Sequence, residues 1–171
     1  MGARWPVRAI GGVVVAGVLA GCAGARSEAG GYVVRAKGFR VTAPPGWERI
    51  PSDADLALRQ PGLEAGLMAH ATCEGRPPIR PLPVLVRHLR FGLTEVRDLA
   101  ESPVRLAGQP AVKSRFYARL DGRLVVVDAV TVRGPACVYD LVGVAPPDRW
   151  AAVAPAFQRF TESFALLEGE R

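Results

Sequence analysis

The sequence predicts an α+β domain, with a central antiparallel sheet of about six or seven strands packed by two main helices. Three observations predict it. Short runs rich in Val, Tyr, Phe and Thr alternate with turns bearing Gly and Pro along much of the chain. Asp121-Gly122 sits between two such runs, the strongest short hairpin signal. Near Leu82 and again after Pro147 the apolar spacing changes to that of an amphipathic helix.

The N-terminal residues belong to none of these elements. Arg4 and Arg8 precede an uncharged run of apolar residues and glycine from Ala9 to Ala20. The run is about a dozen residues long, whereas a membrane-spanning helix needs about 20. It reads as a secretion signal ending in Leu19-Ala20-Gly21-Cys22. Here the chain resembles bacterial lipoproteins, whose lipobox is a leucine, two small residues and a cysteine. The resemblance implies that Leu19, Ala20 and Gly21 are recognition residues, that residues 1–21 are removed, and that the Cys22 sulfur carries diacylglycerol with palmitate-type chains. More than one chain is needed for stable anchoring, at roughly 0.8 kcal/mol per buried methylene. The residues alone leave two other readings: an ordinary signal peptide with a coincidental cysteine, or an uncleaved apolar helix. Ala23, not Asp, follows the cysteine, so the expected location is the bacterial cell envelope, at the inner leaflet of the outer membrane, facing the periplasm.

Residues 1–21 hold two of the 22 Lys and Arg and none of the 16 Asp and Glu, so the rest of the chain is only mildly basic. Its charges are spread rather than clustered, which argues against a nucleic-acid partner. About 150 residues remain, enough for one domain with its own core. With Cys22 assigned to lipid, Cys73 and Cys137 are left as an even pair in an oxidising compartment, which points to a disulfide. The alternative is two buried free thiols that pack as small hydrophobes. There is no Cys-x-x-Cys and hence no redox-catalytic motif.

Ala23–Gly31 is small, polar and Gly-rich, so residues 22–31 are expected to be the lipidated cysteine and a flexible tether. A single domain is expected over 32–168, with a polar tail at 169–171. Tyr32–Val34 and Gly38–Thr42 are short strands. Pro44-Pro45-Gly46 ends the second, and Trp47 follows as a plug at one end of the core, or alternatively as a stacking surface for a ligand. Asp55–Gln60 and Glu64–Cys73 flank Pro61-Gly62 as a hairpin. His70 is expected as a surface or half-buried sheet residue and not a ligand, and Glu74–Pro83 is a stiff Pro-rich connector. From Leu82 to Leu99, residues Leu82, Leu85, Val86, Leu89, Leu93 and Val96 share one helical face, with His88 on its flank. Phe91 points away from that stripe, which marks either an outer covering segment or a partner contact. The final helix carries Trp150, Val153, Phe157, Phe160 and Phe164 at helical spacing, as core residues.

A two-residue turn at Asp121-Gly122 would set Arg115 opposite Asp128 and Lys113 opposite Val130. A three-residue turn at 134–136 would bring Asp140 diagonally beside Asp128. Lys113, Arg115, Asp128 and Asp140 are therefore the candidate polar cluster, read as a cross-strand ion pair or as the floor of a small polar pocket. No His, nucleophile or metal-ligand set accompanies them, so no catalytic residue, metal or cofactor is expected.

The order of elements, with Gly38, Phe39, Val41, Pro45, Gly46 and Trp47 near the start and Ala145, Pro146, Ser163 and Phe164 near the end, resembles the PsbP-like and DcrB-like domains. That resemblance implies an antiparallel sheet sandwiched by helices, and binding or assembly rather than enzyme activity. The expected function is thus a lipid-anchored, non-enzymatic binding or accessory domain with an envelope protein partner. One alternative is a carrier of a small apolar ligand in a cavity near Trp47, Phe91 or Trp150. Another is an enzyme using Asp128 and Asp140.

Overall fold

The computed structural model describes residues 25–28, 31–74, 79–167 and 169. The lipobox Leu19–Cys22 and residues 75–78 of the Pro-rich connector lie outside the described residues. Among the described residues there are eleven strands and two α-helices: β1 (Arg26–Glu28), β2 (Gly31–Val34), β3 (Phe39–Val41), β4 (Glu48–Ile50), β5 (Leu56–Gln60), β6 (Ala65–Cys73), α1 (Leu82–Val86), β7 (Thr94–Leu106), β8 (Gln109–Leu120), β9 (Arg123–Arg133), β10 (Cys137–Ala145), α2 (Trp150–Glu162) and β11 (Ala165–Leu166).

The main sheet is antiparallel and seven-stranded, in the order β4-β5-β6-β10-β9-β8-β7. A smaller sheet, β1-β2-β3-β11, lies with α2 over one face of it. This face is the larger core. Trp150, Val153, Phe157, Phe160 and Phe164 are all buried there, as their helical spacing requires. Phe39, Tyr139 and Phe164 form an aromatic cluster with ring centres 5.3 to 5.9 Å apart, joining the two sheets. Gly143 on β10 permits this packing, because a Cβ there would stand 2.9 Å from the Phe157 ring and 3.2 Å from that of Trp150. Ser163 ties the C-terminal end back, accepting from the Thr42 N–H at 2.9 Å and donating to the Phe160 carbonyl at 2.7 Å. Trp47 is half-buried against the same core, after a turn in which its N–H donates to the Pro44 carbonyl.

The Asp121-Gly122 hairpin has the expected register: Leu120 opposite Arg123, Arg115 opposite Asp128 and Lys113 opposite Val130. Both turn residues have left-handed φ, 50° and 77°, as a type I′ turn demands. Ala107 and Gly108 repeat that geometry between β7 and β8, at φ 48° and 76°.

Three expectations are corrected. The helix expected over Leu82–Leu99 is a five-residue α1, then a 3-10 turn at Arg87–Arg90, then β7. Gly92, at φ 78°, ends the helical stretch, and β7 begins two residues later. The apolar stripe keeps its purpose, since Val86 is buried and Leu89, Leu93 and Val96 pack on the second face of the main sheet, although only the first turn is α-helical. Within the stretch expected as a tether, 22–31, Arg26–Glu28 instead pairs with β2 and Ala25 is buried. Finally, β10 meets β9 with Val138 opposite Arg133, so four residues turn the chain instead of three. That one-residue slip sends Asp140 to the opposite face from Asp128.

Candidate functional site

The second face of the main sheet is covered less completely than the first. The segment from α1 to Leu93 crosses only part of it, packing on Phe116, Val127 and Ala129. Among the described residues, a hollow lies on each side of it.

The larger hollow is an open groove of about 730 Å³. Its floor comes from alternate residues of β6, β9 and β10: Gly66, Met68, Val125, Val142 and Val144. Pairing of Met68 with Val142 and of Gly66 with Val144 puts these side chains on one face by the two-residue period of a strand. Leu120 and Leu124, both exposed, flank it at the Asp121-Gly122 tip. Glu64 and Arg123 close one end and pair with each other at 3.1 Å. The volume suits one small ligand. The cavity expected near Trp47, Phe91 or Trp150 is not where this groove lies: none of the three lines it. Trp150 is buried in the core, and Phe91 stands 86% exposed in the loop before β7.

The smaller hollow, about 420 Å³, lies between α1 and the β6–β10 end, among Thr72, Glu74, Arg80, Leu85, His88 and Val138. His88 forms one wall. Its Nε2 donates to Asp140 Oδ2 at 2.8 Å, and its Nδ1 meets the Leu85 carbonyl. Asp140 is 2% exposed and accepts a second bond at Oδ1 from the Thr131 hydroxyl at 2.7 Å. Both ring nitrogens thus face acceptors, and only an imidazolium can donate from both. The Asp140 carboxylate accordingly holds the His88 pKa above its usual value, against the opposing effect of burial. With both ring nitrogens engaged, His88 is a latch that pins the α1 segment to the sheet.

The latch has a pH signature. A pKa raised on folding stabilises fully below the unfolded value of about 6.5 and is lost as pH rises through the folded one. The difference in unfolding free energy between the native chain and His88→Gln is therefore expected to be largest below about pH 6.5 and to shrink at higher pH. Urea titrations at a series of pH values check this, and a difference that grows with pH would reject the latch.

The candidate polar cluster divides. On the α2 side, Arg115 donates to Asp128 Oδ2 from Nε at 3.0 Å, and Lys113 Nζ stands 3.9 Å from the same oxygen. The Arg115 guanidinium lies 5.6 Å from the Trp150 ring centre. Asp140 takes no part in this, so the pair of carboxylates an acid–base mechanism would need is not formed. Cys73 and Cys137 stand directly opposite each other on β6 and β10 and are joined as a disulfide. Among the described residues no three His, Cys, Asp or Glu side chains converge to hold a metal ion.

Sequence reasoning missed the His88–Asp140 contact and the groove. The first needed the four-residue turn before β10. The second followed from a helix only five residues long, and Gly92 inside the helical pattern was its one visible signal.

No family model matches the chain, and no curated protein matches it in sequence. Solved structures do resemble it. LpqN of Mycobacterium tuberculosis, a protein involved in cell envelope biogenesis, matches at 17% identity over 75% of this chain and 83% of its own, with a TM-score of 0.57. Cyanobacterial PsbP from Synechocystis matches at 16% identity over 95% of this chain and 99% of its own, with a TM-score of 0.58. A Pseudomonas aeruginosa protein described as a putative regulator matches at 13% identity over 77% of this chain and 87% of its own, with a TM-score of 0.52. At these identities the likeness is one of architecture, and the architecture is PsbP-like.

Proposed function

We propose that the chain is a lipoprotein of the bacterial cell envelope whose domain binds and does not catalyse. Anchoring rests on Leu19-Ala20-Gly21-Cys22, with the lipid on Cys22 and the domain facing the periplasm from the outer membrane. The observation that carries the binding reading is the open apolar groove over β6, β10 and β9. A groove of that size, with apolar side chains exposed at its rim, is a place for a ligand or partner. Its floor offers no nucleophile, and elsewhere His88 is paired with Asp140 and Arg115 with Asp128. The resemblance to LpqN supports an envelope role by analogy of fold. Phe91, exposed beside the α1 segment, is a second contact point for an envelope protein partner.

Anchoring is tested by detergent-phase partitioning of the exported full chain. The native protein is expected in the detergent phase and Cys22→Ser in the aqueous phase. Equal partitioning of the two would overturn the lipid anchor.

A further inference from the structure

The groove lies close to the corner of the domain that holds Ala25, the first described residue. Ala25 is buried, its N–H donates to the Asp55 carbonyl at 3.1 Å, and the next three residues pair with β2. Asp55 is itself held, its carboxylate accepting from the Ala71 N–H at 2.7 Å and from Lys37 Nζ at 2.9 Å. Cys22 stands three residues before Ala25, a span of at most about 11 Å. A lipid on Cys22 therefore holds the Asp55 corner of the domain at the membrane surface.

That corner leads into the groove. Asp55, Ile50 and Ala57 line a shallower hollow, and Ile50 and Ala57 also line the groove. The apolar path thus begins within a few residues of the anchored corner and runs over Met68 and Val142 toward the Asp121-Gly122 tip. Its charged groups, Glu64, Asp121 and Arg123, lie toward the tip, where Glu64 and Arg123 pair with each other. A floor without polar side chains gives a sugar or nucleotide no hydrogen bonds, but it suits a hydrocarbon chain, which needs only apolar contact.

We propose that the groove takes up one acyl chain of a membrane lipid, delivered by the bilayer in which Cys22 is anchored. The inference rests on the anchoring reading above and gives the binding site its ligand. Short attachment makes the bilayer the groove's neighbour, so the ligand's effective concentration is high without tight binding.

Gly66 supplies the test. A Cβ there would meet nothing nearer than the Leu58 carbonyl at 3.7 Å, so a large side chain can be added to the groove without a clash at its root. The lipidated full chain, with the acyl mass on Cys22 verified by mass spectrometry, is placed in phosphatidylethanolamine–phosphatidylglycerol vesicles containing a lipid with a photoreactive acyl chain. After irradiation, adducts are expected on the groove peptides covering 56–68 and 120–125. Gly66→Phe is expected to lower these at least tenfold while adducts near 25–28 stay unchanged. A circular dichroism spectrum matching the native one shows that the variant is folded, and Leu124→Asp, at the exposed rim, gives an independent second variant expected to act in the same direction. Adducts confined to the N-terminal residues, equal groove adducts in both variants, or cross-links between copies in place of lipid adducts would overturn the proposal. Absence of the acyl mass would overturn the anchor and this inference together, whereas acylated protein with an unlabelled groove would overturn this inference alone.

Discussion

Replacing Cys73 and Cys137 together with alanine is expected to lower the unfolding free energy by about 4 kcal/mol in the chain-entropy model. The two cysteines are 64 residues apart in sequence and directly opposed on β6 and β10. The bond therefore closes a long loop in the unfolded chain while joining strands that are already paired when folded. Little of its effect should come from new contacts in the native state. The cross-link should also be felt unevenly, since it lies at the end of β6 where Glu74 leads into the Pro-rich connector. Thr72, Glu74, Ala136 and Val138, which flank the two cysteines, line the His88 hollow. Hydrogen exchange should accordingly rise first at this end of β6 and β10 and least at the Asp121-Gly122 end. Denaturant titrations of the native and double-alanine proteins measure the loss. A change below about 1 kcal/mol, or two free thiols in the denatured oxidised protein, would show that the bond does not constrain the chain.

Which parts of this fold could be read in the sequence follows from how local the determining physics is. The Asp121-Gly122 turn needs positive φ at two adjacent positions, and those residue types meet that need within two positions, so the β8–β9 register was legible down to Arg115 opposite Asp128. The β7–β8 turn makes the same backbone demand with Ala107-Gly108, a pair without the local hydrogen-bonding side chain that marks such turns, and β7 was read as helix for most of its first half. The aromatic stripe of α2 was legible because one helix face is buried throughout. The α1 stripe was equally periodic, but its residues reach the sheet through a helix, a 3-10 turn and a strand, and burial alone does not distinguish these. At the candidate site, everything depended on the length of one turn. With four residues before β10, Asp140 faces Thr131 and His88; with three it would have faced the Asp128 side. The attachment of the N-terminal end was the least legible, because Ala25 and Asp55 meet through backbone atoms that no residue type announces.

Arg115→Met is expected to destabilise the domain by about 2–3 kcal/mol, and Asp128→Asn by about 1 kcal/mol. The asymmetry comes from burial. Asp128 is 1% exposed and the Arg115 side chain 38%, so the two partners are not equally able to return to water when the other is removed. Losing Arg115 strands a carboxylate between β8, β9 and α2, with Lys113 at 3.9 Å as its remaining cation. Asp128 Oδ1 already lacks a hydrogen-bond partner among the described residues, so the carboxylate has little left to lean on. Arg115→Met also removes a guanidinium from over the Trp150 ring, a contact worth about 0.5–1 kcal/mol where partly exposed. Losing the charge of Asp128 instead leaves a guanidinium that can swing into solvent and an amide that still accepts from it. The double variant Arg115→Met, Asp128→Leu should recover most of the loss, since a buried ion pair and a well-packed apolar pair are often close in stability. Because Asp128 lies on the opposite face from the groove, none of these changes should alter groove labelling by membrane lipid. Equal losses from the two single variants, or a double variant no better than Arg115→Met alone, would show that the pair is a surface contact without a buried charge to satisfy.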